Sequence, residues 1–90
     1  MSEPGQERQG VVAVIVKESR LLVIRRAAGL EAGGALCFPG GAIEQGESEP
    51  QALVHELDEE LGIAVQPVRR LWRSRTAWNV SLSWWAATMD

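Results

Sequence analysis

The segment from Ser48 to Gly62 carries helix signals at both of its ends. Ser48 and Gln51 can form a capping box, in which each side chain bonds the backbone amide of the other residue. Pro50 stands in the first turn, where its missing amide hydrogen has no intrahelical partner to lose. Gly62 provides the left-handed conformation in which many helices end. The sequence therefore predicts a helix over residues 49–61.

The predicted helix has an apolar face and a separate acidic face. At about 100° per residue, one arc collects the apolar side chains of Pro50, Leu53, Val54, Leu57 and Leu61. Glu56, Glu59 and Glu60 fall in a neighbouring arc, and His55 and Asp58 are expected to point elsewhere. Like charges three and four residues apart repel by roughly a few tenths of a kcal/mol per pair. The acidic face is therefore either a solvated surface or a site for a cation.

The charge of the chain is segregated along the sequence. All nine Lys and Arg residues lie in residues 8–26 or 69–75, whereas seven of the twelve acidic residues lie between Glu44 and Glu60. An acidic middle flanked by basic segments argues against a nucleic-acid partner, which requires clustered positive charge. The pattern favours a site where a divalent cation offsets the carboxylates and nearby arginines hold an anion.

Composition and length predict one small globular domain. The chain has 90 residues, of which 46% are hydrophobic, and no apolar run long enough to span a membrane. Its first residues lack the pattern of a signal peptide, and residues 1–9 are expected to be a flexible tail. The single Cys37 is interpreted as a buried small hydrophobe rather than a nucleophile. One cysteine fits a reducing compartment, so a cytoplasmic location is expected.

Five segments outside the helix are predicted as β-strands. They are Gly10–Lys17, Arg20–Arg26, Leu36–Phe38, Ile63–Trp72 and Trp78–Thr88. The first two are expected to form a hairpin around Glu18 and Ser19, and the first is too continuously apolar to be an edge strand. Residues 27–35 are expected to be a loop, and Pro39, Gly40 and Gly41 are expected to end the third strand. Pro67 interrupts the fourth, and the fifth alternates cleanly between two faces.

The stretch GAIEQGESEPQALVHELDEELGI, from Gly41 to Ile63, resembles the Nudix box, G-x5-E-x7-R-E-U-x-E-E-x-G-U with U a bulky aliphatic residue. Eight of the nine fixed positions agree at the required spacing. These are Gly41, Glu47, Glu56, Leu57, Glu59, Glu60, Gly62 and Ile63. His55 stands where the family has Arg. The IRRAA and FPGG segments before the box are similar to the MutT branch, and the resemblance covers roughly residues 11–89.

The resemblance implies an α/β fold, namely the Nudix α/β/α sandwich with a mixed sheet, over residues 10–90. Compared with that fold the chain stops early, after the strand that contains Trp84 and Trp85. The family continues with a further strand and a C-terminal helix that closes one face of the sheet. An uncovered apolar face favours pairing, so a homodimer is expected.

The resemblance also implies Mg²⁺-dependent cleavage of a pyrophosphate bond in a nucleotide, with a (d)NTP as the leading substrate and Mn²⁺ as an alternative ion. The implied metal ligands are the Gly40 carbonyl, Glu56, Glu59 and Glu60. Substrate contacts fall to Gly41 and Arg26, and catalytic roles to Glu47, Glu59 and Glu60. Three candidates remain for the base that activates water: Glu59, Glu60 or a residue beyond position 90.

Two departures from the family keep other functions open. A neutral His55 has one donor where arginine would make a charged, bidentate bond. Glu47 is therefore expected to be held less firmly, which lowers activity or alters its pH profile. With the early end of the chain, this favours a catalytically weak nucleotide-binding module as the alternative to an enzyme, and an inactive fragment as the third. The tryptophans are expected in the core or on the sheet surface rather than as a base-stacking platform.

Overall fold

The computed structural model describes residues 7–25 and 34–89, which form one helix and a set of strands. The elements are β1 Arg8–Lys17, β2 Arg20–Leu21, β3 Ile24–Arg25, β4 Leu36–Cys37, β5 Gly40–Ala42, α1 Glu49–Leu61, β6 Val65–Arg75 and β7 Val80–Met89. No helix in these two ranges is long and apolar enough to pass through a bilayer.

The main sheet is mixed and has β1 at its centre. Its strand order is β2-β1-β7-β6, and β5 also pairs with β1. The β1–β7 pair is parallel, whereas β1–β5 and β6–β7 are antiparallel. Strands β3 and β4 form a separate two-stranded ladder. A central position explains why β1 is apolar along most of its length, and the predicted mixed sheet is confirmed.

Helix α1 begins and ends where the sequence predicts. The Ser48 side chain accepts from the Gln51 amide at 3.2 Å, and the Gln51 side chain accepts from the Ser48 amide at 2.8 Å. Gly62 adopts the left-handed conformation with φ 67°, and its amide bonds the carbonyl of Asp58 at 2.8 Å. These caps satisfy terminal backbone groups that a helix leaves unpaired. Because the helix runs unbroken between these two caps, the angular positions of the acidic side chains around its axis follow from their spacing in the sequence.

The core lies between α1 and one face of the sheet. Its buried side chains are Val11, Ala13, Ile15, Ala52, Leu53, Leu57, Val65 and Ala87. Every second residue of β1 and β7 points to this face, which confirms the alternation predicted for the last strand. The apolar arc predicted on α1 is wrong at Val54, which is 40% exposed, because the sheet meets the helix along Leu53 and Leu57. Ala52, absent from the predicted arc, is fully buried.

Three strand predictions need correction. The predicted strand Arg20–Arg26 is split: β2 pairs with β1 for two residues, and Ile24–Arg25 turns away to pair with β4. Gly40 and Gly41, predicted to stop a strand, form β5 themselves, because glycines fit close to the β1 backbone. Pro67 does not interrupt β6. Register shifts next to it absorb the missing amide donor, and β6 lies at the sheet edge, where proline is tolerated.

Several other boundaries differ by a few residues. Strand β1 begins at Arg8, inside the segment expected to be a tail, whereas residues 1–6 lie outside the described part of the chain. The predicted turn at Glu18 and Ser19 is confirmed, with positive φ at both residues. Of the predicted loop over residues 27–35, only 34 and 35 are described. Cys37 is half-buried rather than buried.

A polar network ties the first turn of α1 to the sheet. Arg73 donates to Glu49 Oε2 at 2.6 Å, and Trp85 Nε1 donates to Glu49 Oε1 at 2.9 Å. Arg73 also donates to the buried Ser83 at 3.2 Å, and Arg70 pairs with Glu49 at 3.4 Å. Burial alone would raise the pKa of Glu49, but the bonds from Trp85, Arg73 and Ser83 lower it to about 2. Two of the β6 arginines thus neutralise a helix carboxylate.

The substitution Glu49→Gln is expected to lower the free energy of unfolding by about 1–2 kcal/mol at pH 7, since it removes charge-assisted bonds. A carboxylate whose pKa falls on folding stabilises the protein above its unfolded pKa, here 4.5. That contribution is lost as the pH falls from 4.5 through about 2. Urea unfolding from pH 7 to pH 2 should therefore show wild type and variant converging. The exposed control Glu18→Gln should track wild type, and a pH-independent deficit in Glu49→Gln would contradict the expectation.

Candidate metal centre

Three potential metal ligands converge on the exposed side of α1. The ligand atoms of His55, Glu56 and Glu59 all lie within 4.8 Å of one another. Successive positions i, i+1 and i+4 reach one point beside the helix because the i+4 side chain stands one turn above the first. His55 and Glu56 are half-buried and Glu59 is exposed. Of the acidic arc predicted from the sequence, Glu56 and Glu59 belong to this group, an imidazole is added, and Glu60 is not one of its members.

Strand β5 packs against this part of α1. The Gly40 amide donates to Glu60 Oε1 at 3.4 Å, which draws the Glu60 carboxylate toward the strand. Gly41 lies so close to Glu56 that a Cβ at this position would overlap its carboxylate. A Cβ at Gly40 would overlap the backbone carbonyl of Val11. Two glycines therefore let the strand approach both β1 and the acidic face.

His55 does not point away from the carboxylates, so that expectation is wrong. Its Nδ1 lies 3.2 Å from Glu47 Oε2, and its Nε2 lies 3.4 Å from Glu59 Oε2. The imidazole reaches both because Glu47, in the loop before α1, folds back along the helix. The other Glu47 oxygen accepts from the Glu44 amide at 3.0 Å. A second ligand group, made of Glu44, Glu47 and His55, therefore adjoins the first.

The local charges shift two pKa values. Glu59, together with Glu47 and Glu44, raises the pKa of His55 above its ordinary value, against a smaller opposing effect of desolvation. Desolvation, followed by repulsion from Glu59 and Glu60, raises the pKa of Glu56. The negative charge of Glu59 contributes to both shifts, and it is part of a local excess of negative charge at the site. A bound cation would relieve this excess.

The residues present fit a divalent metal ion. Carboxylate oxygens are the ligands that Mg²⁺ and Mn²⁺ prefer. Because Gly41 has no side chain, the Glu56 carboxylate can lie against β5, where an added methyl group would displace it. Glu56 and Glu59 would hold such an ion, with Glu60 beside them on the Gly40 side.

A groove of about 340 Å³ lies on the opposite face of the sheet and reaches the same strand. Its lining includes the two β5 glycines and the apolar side chains of Val12, Phe38, Val80 and Leu82. Gly40 and Gly41 thus stand between the groove and the carboxylates of α1. Sequence reasoning missed this groove, although the alternation of β7, which puts Val80 and Leu82 on one side, was the signal that pointed to it.

Three aromatic rings cluster on the same face of the sheet as the groove. Trp72 stacks on Trp84 with ring centroids 5.2 Å apart, and Phe38 meets Trp84 edge-on at 5.6 Å. Trp72 is half exposed, so the cluster lies at the sheet surface, one of the two places expected for the tryptophans. Arg26, the predicted phosphate contact, lies outside the described residues.

The two β5 glycines are expected to respond differently to alanine. In Gly41→Ala the new methyl group displaces the flexible Glu56 carboxylate, so metal affinity should fall by about 10- to 100-fold while the fold is kept. In Gly40→Ala the methyl group meets the Val11 backbone, so the free energy of unfolding should fall by more than about 1 kcal/mol. Calorimetric metal titration and urea unfolding separate the two effects. Unchanged metal affinity in Gly41→Ala would show that Glu56 is not a ligand.

The fold and motif define the class of protein. The sequence profile of the NUDIX domain matches residues 6–87. This match covers nearly the whole chain, and the chain belongs to the NUDIX domain family.

Curated relatives agree with this assignment, and a solved structure shares the fold. The chain is 46% identical over 59 residues to the 8-oxo-dGTP diphosphatase of Escherichia coli, which is 64% of this chain and 46% of that protein. It is 45% identical over 53 residues to the CTP pyrophosphohydrolase of E. coli, 59% of this chain and 39% of that protein. A NUDIX hydrolase from Nitrosomonas europaea superposes with a TM-score of 0.86 at 19% identity, covering 98% of this chain and 50% of the other. The matched segments span about half the length of these proteins or less.

Proposed function

We propose that the chain hydrolyses a pyrophosphate bond of a nucleoside triphosphate in a reaction that needs a divalent metal ion. We base this on the convergence of the Glu56 and Glu59 ligand atoms beside β5. The match to the NUDIX domain supports the proposal, as do relatives named for diphosphatase and pyrophosphohydrolase activity. When bound, the metal ion would neutralise phosphate charge and lower the pKa of attacking water.

The residues of the site divide into ligands and a positioning group. Glu56 and Glu59 bind the ion, with Glu60 and the Gly40 carbonyl completing the ligands on the β5 side. Glu47 is a positioning residue: one oxygen accepts from the Glu44 amide and the other contacts His55. It thereby fixes the loop before α1 against the helix. In the family motif an arginine is expected to hold Glu47. His55 contacts Glu47 in its place, and this retained contact supports an enzyme rather than a weakened binding module.

The nucleoside is proposed to bind in the groove lined by Phe38 and Leu82. A nucleotide whose phosphates meet the metal ion at these carboxylates would have its base across Gly40 and Gly41, where the groove begins. Its lining is largely apolar, which suits the face of a nucleobase. Arg26 is proposed to contact the phosphates. Because the two E. coli relatives are named for different nucleotides, 8-oxo-dGTP and CTP are the first substrates to compare.

The decisive assay measures pyrophosphate and phosphate release from 8-oxo-dGTP, dGTP, CTP and dCTP, with ADP-ribose as a non-triphosphate control. Release of pyrophosphate from a triphosphate with Mg²⁺ or Mn²⁺, and none with chelator, is the expected result. Nucleotide binding without release would instead support a binding module. Neither binding nor release would leave the chain without an activity of its own.

A further inference from the structure

Arg8 is the only charged side chain among the described residues that line the groove on the sheet face opposite α1. Successive side chains of a strand alternate between two faces, so Arg8 and Val12 of β1 point to the same side. Val12 and Val80, the β7 partner of Arg8, both line the groove. Gln9 also borders it, but by the same alternation its side chain points to the α1 face. The groove therefore combines one cationic side chain with an apolar lining.

The backbone at Arg8 is held at the end of the groove that lies far from the candidate metal centre. Its amide donates to the Asn79 carbonyl at 3.1 Å. Farther along β1, Val11 and Val12 pair with the two β5 glycines, which adjoin the carboxylates of α1. At about 3.3 Å per residue, Arg8 lies roughly 10–13 Å along the strand from that point. A nucleotide whose phosphates meet a metal ion at the carboxylates would therefore present its base to Arg8.

The guanidinium of Arg8 is free to meet a ligand. It forms no ion pair with any carboxylate in residues 7–25 and 34–89. Glu7, the acid next to it in sequence, bonds Arg75 instead. The acidic residues of α1 cannot neutralise it, because the helix packs on the other face of the sheet. All five N–H donors of this exposed side chain can therefore serve a base in the groove.

We propose that Arg8 sets the base specificity of the groove by donating two parallel hydrogen bonds to a base with two adjacent acceptors. Guanine offers such a pair at N7 and O6, and cytosine offers one at N3 and O2. An arginine side chain only donates, and its planar fork matches a pair of acceptors. The position of the base rests on the proposed function.

The same chemistry disfavours the other bases. Adenine sets an amino group beside its N7 and N1 acceptors, and thymine and uracil set an N3–H beside both carbonyls. One N–H of Arg8 would then face a donor. The base of 8-oxo-dGTP carries hydrogen on N7 and loses the acceptor pair in the same way. Of the two substrates first compared above, the contact therefore favours CTP over 8-oxo-dGTP.

Base selectivity in wild type and in Arg8→Met tests the proposal, since methionine keeps an unbranched stem but removes every donor. In wild type, kcat/KM for dCTP and dGTP should exceed kcat/KM for dATP, dTTP and 7-deaza-dGTP, which lacks the N7 acceptor. Arg8→Met should reduce these ratios by about 10- to 100-fold. Arg8→Lys keeps the charge without the fork and should also lose selectivity. Arg69→Met, an exposed arginine outside the groove lining, is the control and should keep the wild-type ratios.

A purely structural role for Arg8 would lower kcat/KM equally for every base, and that result would overturn the proposal, as would unchanged ratios. Calorimetric binding of dCMP and dAMP, which needs no turnover, separates this proposal from the proposed function. Arg8-dependent preference for dCMP without hydrolysis of any triphosphate would support the specificity role and refute the hydrolase. Hydrolysis of all the triphosphates with ratios insensitive to Arg8 would do the reverse. Neither binding nor hydrolysis would overturn both.

Discussion

The substitution Glu56→Gln is expected to reduce metal-dependent hydrolysis by at least about a hundredfold. Glu56 is half-buried on the side of α1 that faces β5, and its carboxylate rests against Gly41. Glutamine keeps the shape but removes the charge that attracts a divalent ion. Loss of a group that supports a metal typically costs 10- to 100-fold, and a direct ligand costs more.

The measurement is kcat/KM for pyrophosphate release at several Mg²⁺ concentrations, together with calorimetric metal affinity. Asp58→Asn is the matched control, because it removes one charge from the same helix outside the ligand groups. Desolvation, with added repulsion from Glu59 and Glu60, raises the pKa of Glu56, so its charged form is disfavoured in the protein without a metal ion. Glu56→Gln should therefore unfold no more readily than wild type. An unaltered kcat/KM would remove Glu56 from the proposed centre.

The substitution Leu57→Ala is expected to lower the free energy of unfolding by about 2–5 kcal/mol. Leu57 is fully buried at the contact of α1 with the sheet, so its truncation loses apolar burial and leaves a cavity. Small domains are marginally stable, and a loss of this size is a large share of the total. The variant should also lose turnover, because its neighbour Glu56 is placed by the same helix.

Urea unfolding followed by circular dichroism measures the free energy of unfolding of Leu57→Ala and of wild type. Val54→Ala is the matched control, since Val54 is 40% exposed on the same helix, and it should lose less than about 1 kcal/mol. Equal losses at the two positions would mean that α1 packs on the sheet through a different face from the one described. Added metal should raise the free energy of unfolding of each variant by an amount that grows with the logarithm of the ratio of metal concentration to dissociation constant.

The sequence predicted α1 and its acidic face well because the signals are local. Capping by Ser48 and Gln51 and the left-handed stop at Gly62 depend on residues within one or two turns of each end. The spacing of Glu56, Glu59 and Glu60 then follows from helix geometry alone. By contrast, the split of Arg20–Arg26 depends on pairing with β4, a segment more than ten residues away.

The position of His55 on the helical wheel did not predict where its side chain points. Its position on the helical wheel predicted a direction away from the acidic arc, but a side chain can turn toward partners that lie on either side of it. Glu47 comes from the preceding loop and Glu59 from the next helical turn, and both carboxylates contact the ring. The Glu59 neighbour follows from the i, i+4 spacing, whereas only the folded loop reveals that Glu47 lies on the other side of the imidazole.

By itself, the sequence determined the helix, the spacing of its carboxylates and the family of the chain, because these depend on short-range periodicity and fixed offsets. Tertiary structure decided the rest: which face of α1 is buried, how β5 brings Gly41 against Glu56, and that Glu49 is held by β6 arginines. These contacts join residues far apart in sequence. Their energies depend on burial and distance, which no local pattern specifies.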